Sequence, residues 1–417
     1  MPSAALASVV GVPLTRYMPA MRILVADALA QRHLAPLSAL GEVDYRPDLP
    51  VAALGEALPG ASVLVVRGKK VSAAAIEAGR DLGLIVRAGA GVNTIDVEAA
   101  SARGIFVCNC PGKNAIAVAE LTMGLLCALD RRIAQQTQLL REGRWDKKTF
   151  SEANGLYGRT LGLLGAGSIA IEVARRARAF GMRVVVWSRS LTDARAAEVG
   201  LERLGSPLDV ARSADVVSVH LALGKETRGL CSAEFFAAMH ANSFFINTAR
   251  GEIVDEAALA KAVRERGIAV AADVFAEEPS AGQGAFVWPL AAFPNVIGTH
   301  HVGASTDQAQ EAIAREAVRI VEAFVRRGEA ENCVNLARRS PAACQLVVRH
   351  LDRVGVLARV LDVIRKGGIN VEEMENVVFE GARAASARIR LGARPAAELL
   401  AELAALPEIL HAEVTEL

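Results

Sequence analysis

The ten residues LGLLGAGSIA, Leu161–Ala170, constrain this chain more than any other stretch. An apolar run with strand character ends at Gly165 and Gly167, and an alanine-rich helical segment follows. Glycines at these two places allow a tight turn and close approach of the backbone to a ligand, and Ala170 fills the third place of the same pattern. The free N–H groups of the following helix N-terminus then suit an anion such as a pyrophosphate. A second apolar run, RVVVWS, ends at the distance a dinucleotide-binding βαβ unit needs. Such a unit demands a parallel sheet with helices on both faces.

The remaining chain supplies that sheet and more. TLGLLGAG, RVVVWS, DVVSVH, SFFINTA, IAVAADVF and NVIGTHH alternate with helical segments and predict six strands of a doubly wound sheet. Upstream, from Met21, the runs RILVAD, SVLVVRG, LGLIVRAG and GIFVCN predict a smaller sheet of the same kind. The expected fold is therefore α/β, with two doubly wound parallel-sheet domains. Between the two series, AIAVAELTMGLLCALDRRI is apolar nearly all round. A helix without a polar face is buried on all sides, which places it at the contact of a homodimer or, alternatively, between the domains of a monomer. DQAQEAIAREAVRIVEAFVRR is apolar at helical spacing and is expected to pack back on the first domain. After LARRSPAAC the pattern becomes strand, helix, strand, strand, helix, strand, a small α+β module with its own core. The predicted division is an extension without fixed structure at 1–20, a discontinuous substrate-binding domain at 21–114 and 302–335, a dinucleotide-binding domain at 115–301, a linker at 336–344 and the module at 345–417.

Charge and cysteine usage narrow the partners. A formal net charge of +1 gives no broad field for nucleic acid or an anionic membrane, so a small molecule recognised at a local site is expected. No apolar run is long enough to span a bilayer. The start, MPSAALASVVGVPLT, lacks the basic residues that open a secretory signal, and a start codon placed too early accounts for it more simply. Six cysteines without framework spacing fit reduced thiols in the cytoplasm. Cys108 and Cys110, on one face of a strand, read as core thiols, and no metal is expected.

Three further segments end strands of the larger sheet: INTARGEIVDE carries Arg250, ADVFAEEP carries Glu278 and GTHHVGAST carries His301. Carboxyl ends of strands in an open α/β sheet face the ligand crevice. Together the three offer a planar cation for a carboxylate, an imidazole for proton transfer and a carboxylate to orient that imidazole. The alternatives are a surface ion pair for Arg250, a loop cap before Pro279 for Glu278, and an inward His300 instead of His301.

The second strand ends unusually. An acid there ordinarily binds the adenosine ribose and repels a 2′-phosphate. Here Ser188 removes the repulsion and Arg189 offers a charge-assisted partner, so NAD or NADP is expected with NADP favoured. The alternative leaves Arg189 in solvent and NAD bound through the remaining contacts.

In this order GAGSIA, INTARGEIVDE, DVFAEEP and HHVGAST resemble the signatures of the D-isomer-specific 2-hydroxyacid dehydrogenase family, from about Met21 to Asn335. The tail, with HLDRVGVLARV and GGIN, resembles the ACT domain that follows the catalytic part in many D-3-phosphoglycerate dehydrogenases. The resemblance implies Rossmann-like and flavodoxin-like domains, with Arg250 on the substrate carboxylate, His301 as acid and base, and Glu278 as its partner. Cofactor contacts are implied first around the glycine turn, at Gly165, Gly167, Ser168, Ile169, Ser188 and Arg189. Others are implied at His220, Thr248, Ala249, Arg250, Asp273, His301 and Gly303. The loop RAGAGVN is implied to bind substrate through the backbone at Ala90 and Gly91, with Asn93 where an aspartate is usual.

A phosphorylated substrate needs cations. Arg67 and Arg87 each follow an apolar strand, where a buried guanidinium requires an anion, with Lys69, Lys70 and Lys113 nearby; ion pairs or solvated charges are the alternative. In the tail, His350, Asp352 and Asn370 match effector-binding places for an amino acid. Asp352 stands where asparagine is common and Val354 where proline is, and the module serves equally as a dimerisation piece through its sheet edges. The whole resemblance implies oxidation of D-3-phosphoglycerate for serine biosynthesis by a cytoplasmic homodimer or homotetramer. The rivals are an NADP-preferring hydroxypyruvate or glyoxylate reductase, another D-2-hydroxyacid dehydrogenase, or a non-catalytic dinucleotide sensor like the C-terminal-binding-protein co-repressors.

Overall fold

Short β-branched runs build three sheets in the computed structural model, which describes residues 21–279, 283–337 and 340–417. The extension expected at 1–20 and two residues of the expected linker lie outside the described residues. The chain forms two units, the first ending at Asn335 and the second beginning at Leu336.

The first sheet contains β1 (Arg22–Val25), β2 (Glu42–Tyr45), β3 (Ala61–Val66), β4 (Leu84–Arg87) and β5 (Phe106–Asn109), all parallel in the order β2-β1-β3-β4-β5. Central strands covered on both faces read as continuous apolar runs, as in ASVLVV of β3. The edge strand β2, EVDY, is half-exposed and carries two acids, which hides it in the sequence.

The second sheet holds β6 (Thr160–Leu164), β7 (Arg183–Trp187), β8 (Glu202–Arg203), β9 (Val216–Val219), β10 (Phe244–Asn247), β11 (Ala269–Ala272) and β12 (Val296–Gly298). Their order is β12-β11-β10-β9-β6-β7-β8, so seven strands replace the predicted six. The extra one, β8, is two exposed charged residues at an edge and has no apolar signal to read. Strand order reverses between β6 and β9, which opens a crevice above their carboxyl ends.

Helices close both sheets. The expected helix at 115–133 runs over Ala115–Arg131 and stops where Arg132 adopts φ 50°, after which Ile133–Arg141 starts a new helix. Ala119, Met123 and Leu126 pack it on the second sheet together with Val173 and Ala177 of helix Ser168–Ala179. Within one chain its Ile116, Glu120 and Gly124, at i, i+4 and i+8, remain exposed. Helix Asp307–Arg327 instead lies on the first sheet, burying Ile313, Ala317, Ile320 and Val321 against Ile23, Val25, Val63 and Val86. Each of the isoleucines and valines contributes about 1.5–3 kcal/mol of burial. The Thr306 hydroxyl caps this helix and Gly328, at φ +70°, ends it. The chain then returns antiparallel to β5, with Val334 N–H donating to Val107 O and Cys333 facing Cys108. All six cysteines are free thiols. Among the described residues no His, Cys, Asp or Glu cluster suits a metal, and no helix is long and apolar enough to cross a membrane.

The second unit has the predicted strand, helix, strand, strand, helix, strand order. Its strands β13 (Cys344–Leu351), β14 (Val371–Val378), β15 (Ala384–Leu391) and β16 (Ile409–Thr415) form an antiparallel sheet ordered β14-β15-β13-β16. Alternate residues Leu346 and Val348 of β13 and Ala387 and Ile389 of β15 face helix Val356–Lys366, which contributes Val360, Val363 and Ile364 to the core.

Candidate active site

Strand ends from both sheets of the first unit line one cleft of about 610 Å³. The first sheet supplies Arg87, Ala90 and Gly91; the second supplies His220, Thr248, Ala249, Arg250, Asp273, His301 and Gly303.

At the glycine turn, Gly165 has φ +109° and its N–H donates to Trp187 O at 2.7 Å. A Cβ there would lie 2.3 Å from the His220 carbonyl oxygen, so only glycine lets the two strand ends meet. Gly167 caps helix Ser168–Ala179 with no side-chain cap, and a Cβ built on it meets nothing within 4 Å. The first-turn N–H groups are thus uncapped beside open space, which fits a pyrophosphate. Ile169 also lines the cleft, while Ala170 is fully buried beneath the helix. The His220 ring lies 2.9 Å from Ser218 Oγ, and burial holds its pKa well below the usual imidazole value.

The structure brings Arg250, Glu278 and His301 together. His301, not His300, lines the cleft and meets Glu278, with Nδ1 2.7 Å from Oε2. The other Glu278 oxygen accepts from Phe275 N–H at 2.9 Å. Burial pushes the Glu278 carboxyl up, but the His301 and Phe275 hydrogen bonds and the charges of His301 and Arg250 outweigh it and hold the pKa below the usual range. A carboxylate on Nδ1 leaves Nε2 as the nitrogen for proton exchange.

His301 sits in the left-handed region at φ 52°, a conformation that persists only where the surroundings enforce it. Asp273 does the enforcing. Its Oδ1 accepts from Val302 N–H at 2.9 Å and from the Thr299 hydroxyl at 2.6 Å, and its Oδ2 from Gly303 N–H at 2.9 Å. The resemblance implies Asp273 as a cofactor contact; in the fold the residue is 1% exposed and its carboxylate is taken up by the loop that carries His301.

Two residues that sequence reasoning missed hold Arg250. Asn247, buried at the end of β10, accepts from Ala249 N–H at 3.0 Å and donates to Arg250 O at 2.9 Å. Gly251 lets the Arg250 turn touch the Glu278 loop, since a Cβ would lie 2.1 Å from Phe275 C and 2.2 Å from Ala276 N. An amide ending an apolar strand and a glycine after the arginine were the available signals. Arg250 itself reaches over the substrate-side loop, where a Cβ on Gly91 would lie 2.5 Å from its Nη2. Thr122 was missed as well; its hydroxyl lies 3.1 Å from that of Thr248.

The first sheet contributes positive charge. Arg87 lies across Gly89 with its Nε buried and unpaired. Burial and the neighbouring charges of Arg250 and Arg67, only partly offset by Cys110 and Asp27, hold its pKa below the usual guanidinium value. Arg67 borders an adjoining hollow with Ala88 and Gln310, on a loop whose N–H groups at Arg67, Gly68 and Lys69 donate to Asp27 at 2.7–3.0 Å. Of the nearby lysines, Lys69 is engaged with Leu49 O at 2.6 Å and Lys113 with Glu316 at 3.2 Å, and Lys70 has no ion pair or side-chain hydrogen bond among the described residues. Ser188 and Arg189 follow β7, and Arg189 forms an ion pair with Glu226.

The proposed effector residues fall apart within the second unit. His350 is buried, with Nδ1 2.8 Å from Leu351 O and Nε2 3.2 Å from Asn376 Oδ1. Asp352 follows Leu351, which pairs with Ala384, whereas Asn370 precedes Val371, which pairs with Leu391 opposite Cys344. The strands β13 and β14 run parallel, so Asn370 and His350 stand at opposite ends of the sheet, roughly 20 Å apart at the rise of a strand.

A family model for the D-isomer specific 2-hydroxyacid dehydrogenase NAD binding domain matches residues 123–303. The chain is 41% identical over 318 residues to a D-3-phosphoglycerate dehydrogenase of Methanocaldococcus jannaschii, covering 76% of this chain and 60% of that protein. It is 41% identical over 265 residues to a hydroxypyruvate reductase of Thermotoga maritima, covering 63% of this chain and 84% of that one. The chain thus spans less than two thirds of the archaeal relative and most of the Thermotoga one. Among solved structures, an NADPH-dependent glyoxylate/hydroxypyruvate reductase of Sinorhizobium meliloti in complex with NADP and malonate superposes with a TM-score of 0.67 at 29% identity, covering 77% of this chain and all of that one.

Proposed function

The chain belongs to the D-isomer-specific 2-hydroxyacid dehydrogenase family, and from that premise we propose that it interconverts a D-2-hydroxy acid and its 2-oxo acid with NAD or NADP, its substrate being D-3-phosphoglycerate. The nicotinamide, when bound, supplies the acceptor or donor of the hydride at the substrate's C2. Arg250 pairs with the substrate carboxylate, and the backbone at Ala90 and Gly91 completes its seat. In oxidation His301 Nε2 takes the hydroxyl proton, and Glu278 stabilises the imidazolium that results. In reduction His301 returns that proton to the carbonyl oxygen.

The single observation that carries the phosphorylated substrate is Arg87. A guanidinium with a buried, unpaired Nε, facing two other arginines, calls for an anion beyond the one carboxylate Arg250 holds. A hydroxypyruvate or glyoxylate reductase is the second reading, favoured by Ser188 and Arg189 at the end of β7. Initial rates with D-3-phosphoglycerate, phosphohydroxypyruvate, hydroxypyruvate and glyoxylate decide between them: highest kcat/KM on the phosphorylated pair is expected. No activity on phosphohydroxypyruvate refutes the first reading, and no turnover of any of the four favours a non-catalytic dinucleotide sensor.

The organisation that goes with this activity is a substrate-binding domain of 21–114 and 302–335, a dinucleotide-binding domain of 115–301 and an ACT-like module of 345–417. We place the enzyme in the cytoplasm, in serine biosynthesis, as a homodimer or homotetramer. An amino-acid effector site at His350, Asp352 and Asn370 then requires two copies of the module, because one copy holds these residues apart.

A further inference from the structure

We propose that Glu226 sets the choice between NAD and NADP, an inference that rests on dinucleotide binding at the glycine turn. The residues after β7 lack the acid that ordinarily receives the adenosine ribose hydroxyls. A carboxylate reaches that place from elsewhere. The chain leaving β9 passes His220 and Leu221 in the cleft wall, crosses above the end of β6, and brings Glu226 into an ion pair with Arg189. The crossing is fixed by Thr227, whose hydroxyl donates to Ala222 O at 2.7 Å and accepts from Gly224 N–H at 2.8 Å. The next residues are tied down by Gly229 N–H donating to Glu252 O at 2.9 Å. Neighbouring acids are spoken for, Asp193 by Arg203 and Glu198 by Arg195.

At the adenosine end the site therefore holds one arginine and one carboxylate, facing each other. The two hydroxyls of an unphosphorylated ribose are donors, and Glu226 accepts from them without disturbing Arg189. A 2′-phosphate is a dianion; it must take Arg189 from Glu226 and then lie beside that carboxylate. Glu226 thus opposes the NADP preference that Ser188 and Arg189 otherwise confer. Both side chains are about three-quarters exposed, at 71% for Glu226 and 77% for Arg189, so the opposition is moderate and screened by salt.

The test is direct binding of NADH and NADPH to the full chain, followed by nicotinamide fluorescence, without substrate. Glu226→Gln is expected to tighten NADPH about 3- to 10-fold, with NADH unchanged or weaker, and the gain is expected to shrink in 0.5 M salt. Arg189→Gln is expected to weaken NADPH and, in the double variant, to cancel the gain. An NADPH to NADH ratio that stays within about twofold of wild type in Glu226→Gln at low salt overturns the proposal, as does equal tightening of both. Because no substrate is present, failure of the phosphoglycerate reading does not touch this result. A wild-type protein that binds neither dinucleotide refutes both readings at once.

Discussion

Replacing Gly251 with alanine adds one methyl group where the loops carrying Arg250 and Glu278 touch. The new Cβ would lie 2.1 Å from Phe275 C, 2.2 Å from Ala276 N and 2.5 Å from Phe275 O. All three are backbone atoms, so no side-chain rotation relieves the overlap. Gly251 has no positive φ, and alanine is not strained there for conformational reasons. The loops must part by about 1 Å to restore even the shortest separation a Cβ tolerates, which moves Arg250 away from Glu278 and His301. A misplacement of that size costs about 100-fold in rate, or about 3 kcal/mol of transition-state stabilisation. We expect kcat/KM to fall about 100-fold while the dinucleotide dissociation constant rises by less, because the glycine turn is untouched even though Thr248, Ala249 and Arg250 adjoin the change. Gly124→Ala is the control: it sits mid-helix with nothing within 4 Å of the added Cβ. That variant should keep full activity and gain up to about 1 kcal/mol of stability. Steady-state kinetics and cofactor titration on both variants check this, and a Gly251→Ala enzyme within threefold of wild-type kcat/KM would refute the coupling of the two loops.

Three other outcomes follow from the site. His301→Asn should keep the loop, since asparagine tolerates the left-handed conformation, yet lower kcat by about 10²–10⁴-fold with dinucleotide binding intact; a smaller loss in stopped-flow rates would exclude His301 as the acid and base. Arg87→Met should raise KM for phosphoglycerate about 10- to 100-fold while leaving glyoxylate unaffected, and should raise Tm because an unpaired buried cation is gone. The Glu316 carboxyl is pulled down to about 2, chiefly by its Arg319 hydrogen bond with a further contribution from Lys113 and against the opposing effect of burial. Its folded pKa lies below the ordinary 4.5, so it adds stability above pH 4.5 that is lost as pH falls from there towards 2. Denaturation across that window should show a smaller acid-side loss in Glu316→Gln than in wild type.

The sequence revealed this site where the chemistry is local. Gly165, Gly167 and the Arg, Glu and His residues are legible because glycines and charges at strand ends have few other reasons to occur there. It paired Glu278 with the His301 ring but gave no sign of what the Asp273 carboxylate does. Both acids follow β11, and only the three-dimensional path of residues 299–303 shows that Asp273 clamps the histidine loop. The lysines were left open for the converse reason: a charge in a loop looks free until its partner, distant in sequence, comes into view, and Glu316 gives Lys113 the ion pair that was its alternative. Edge strands escaped because β2 and β8 bury little and so carry no apolar periodicity. Asn370 was grouped with His350 by pattern, and the register of β13, β14 and β15 separates them.

The path of the chain through the two parallel sheets has a consequence for how such a protein can change. Every strand of the first sheet ends by Asn109, and every strand of the second lies between Thr160 and Gly298. The glycine turn, Arg250 and Glu278 lie within that stretch and His301 just beyond it, so all four are encoded without interruption by the first sheet. Arg67 and Arg87 are encoded ahead of that stretch, and the helix that supports them, Asp307–Arg327, behind it. The crevice wall built by the second sheet and the cationic wall built by the first are thus separate cassettes of sequence, and either can be rewritten while the other stays as it is.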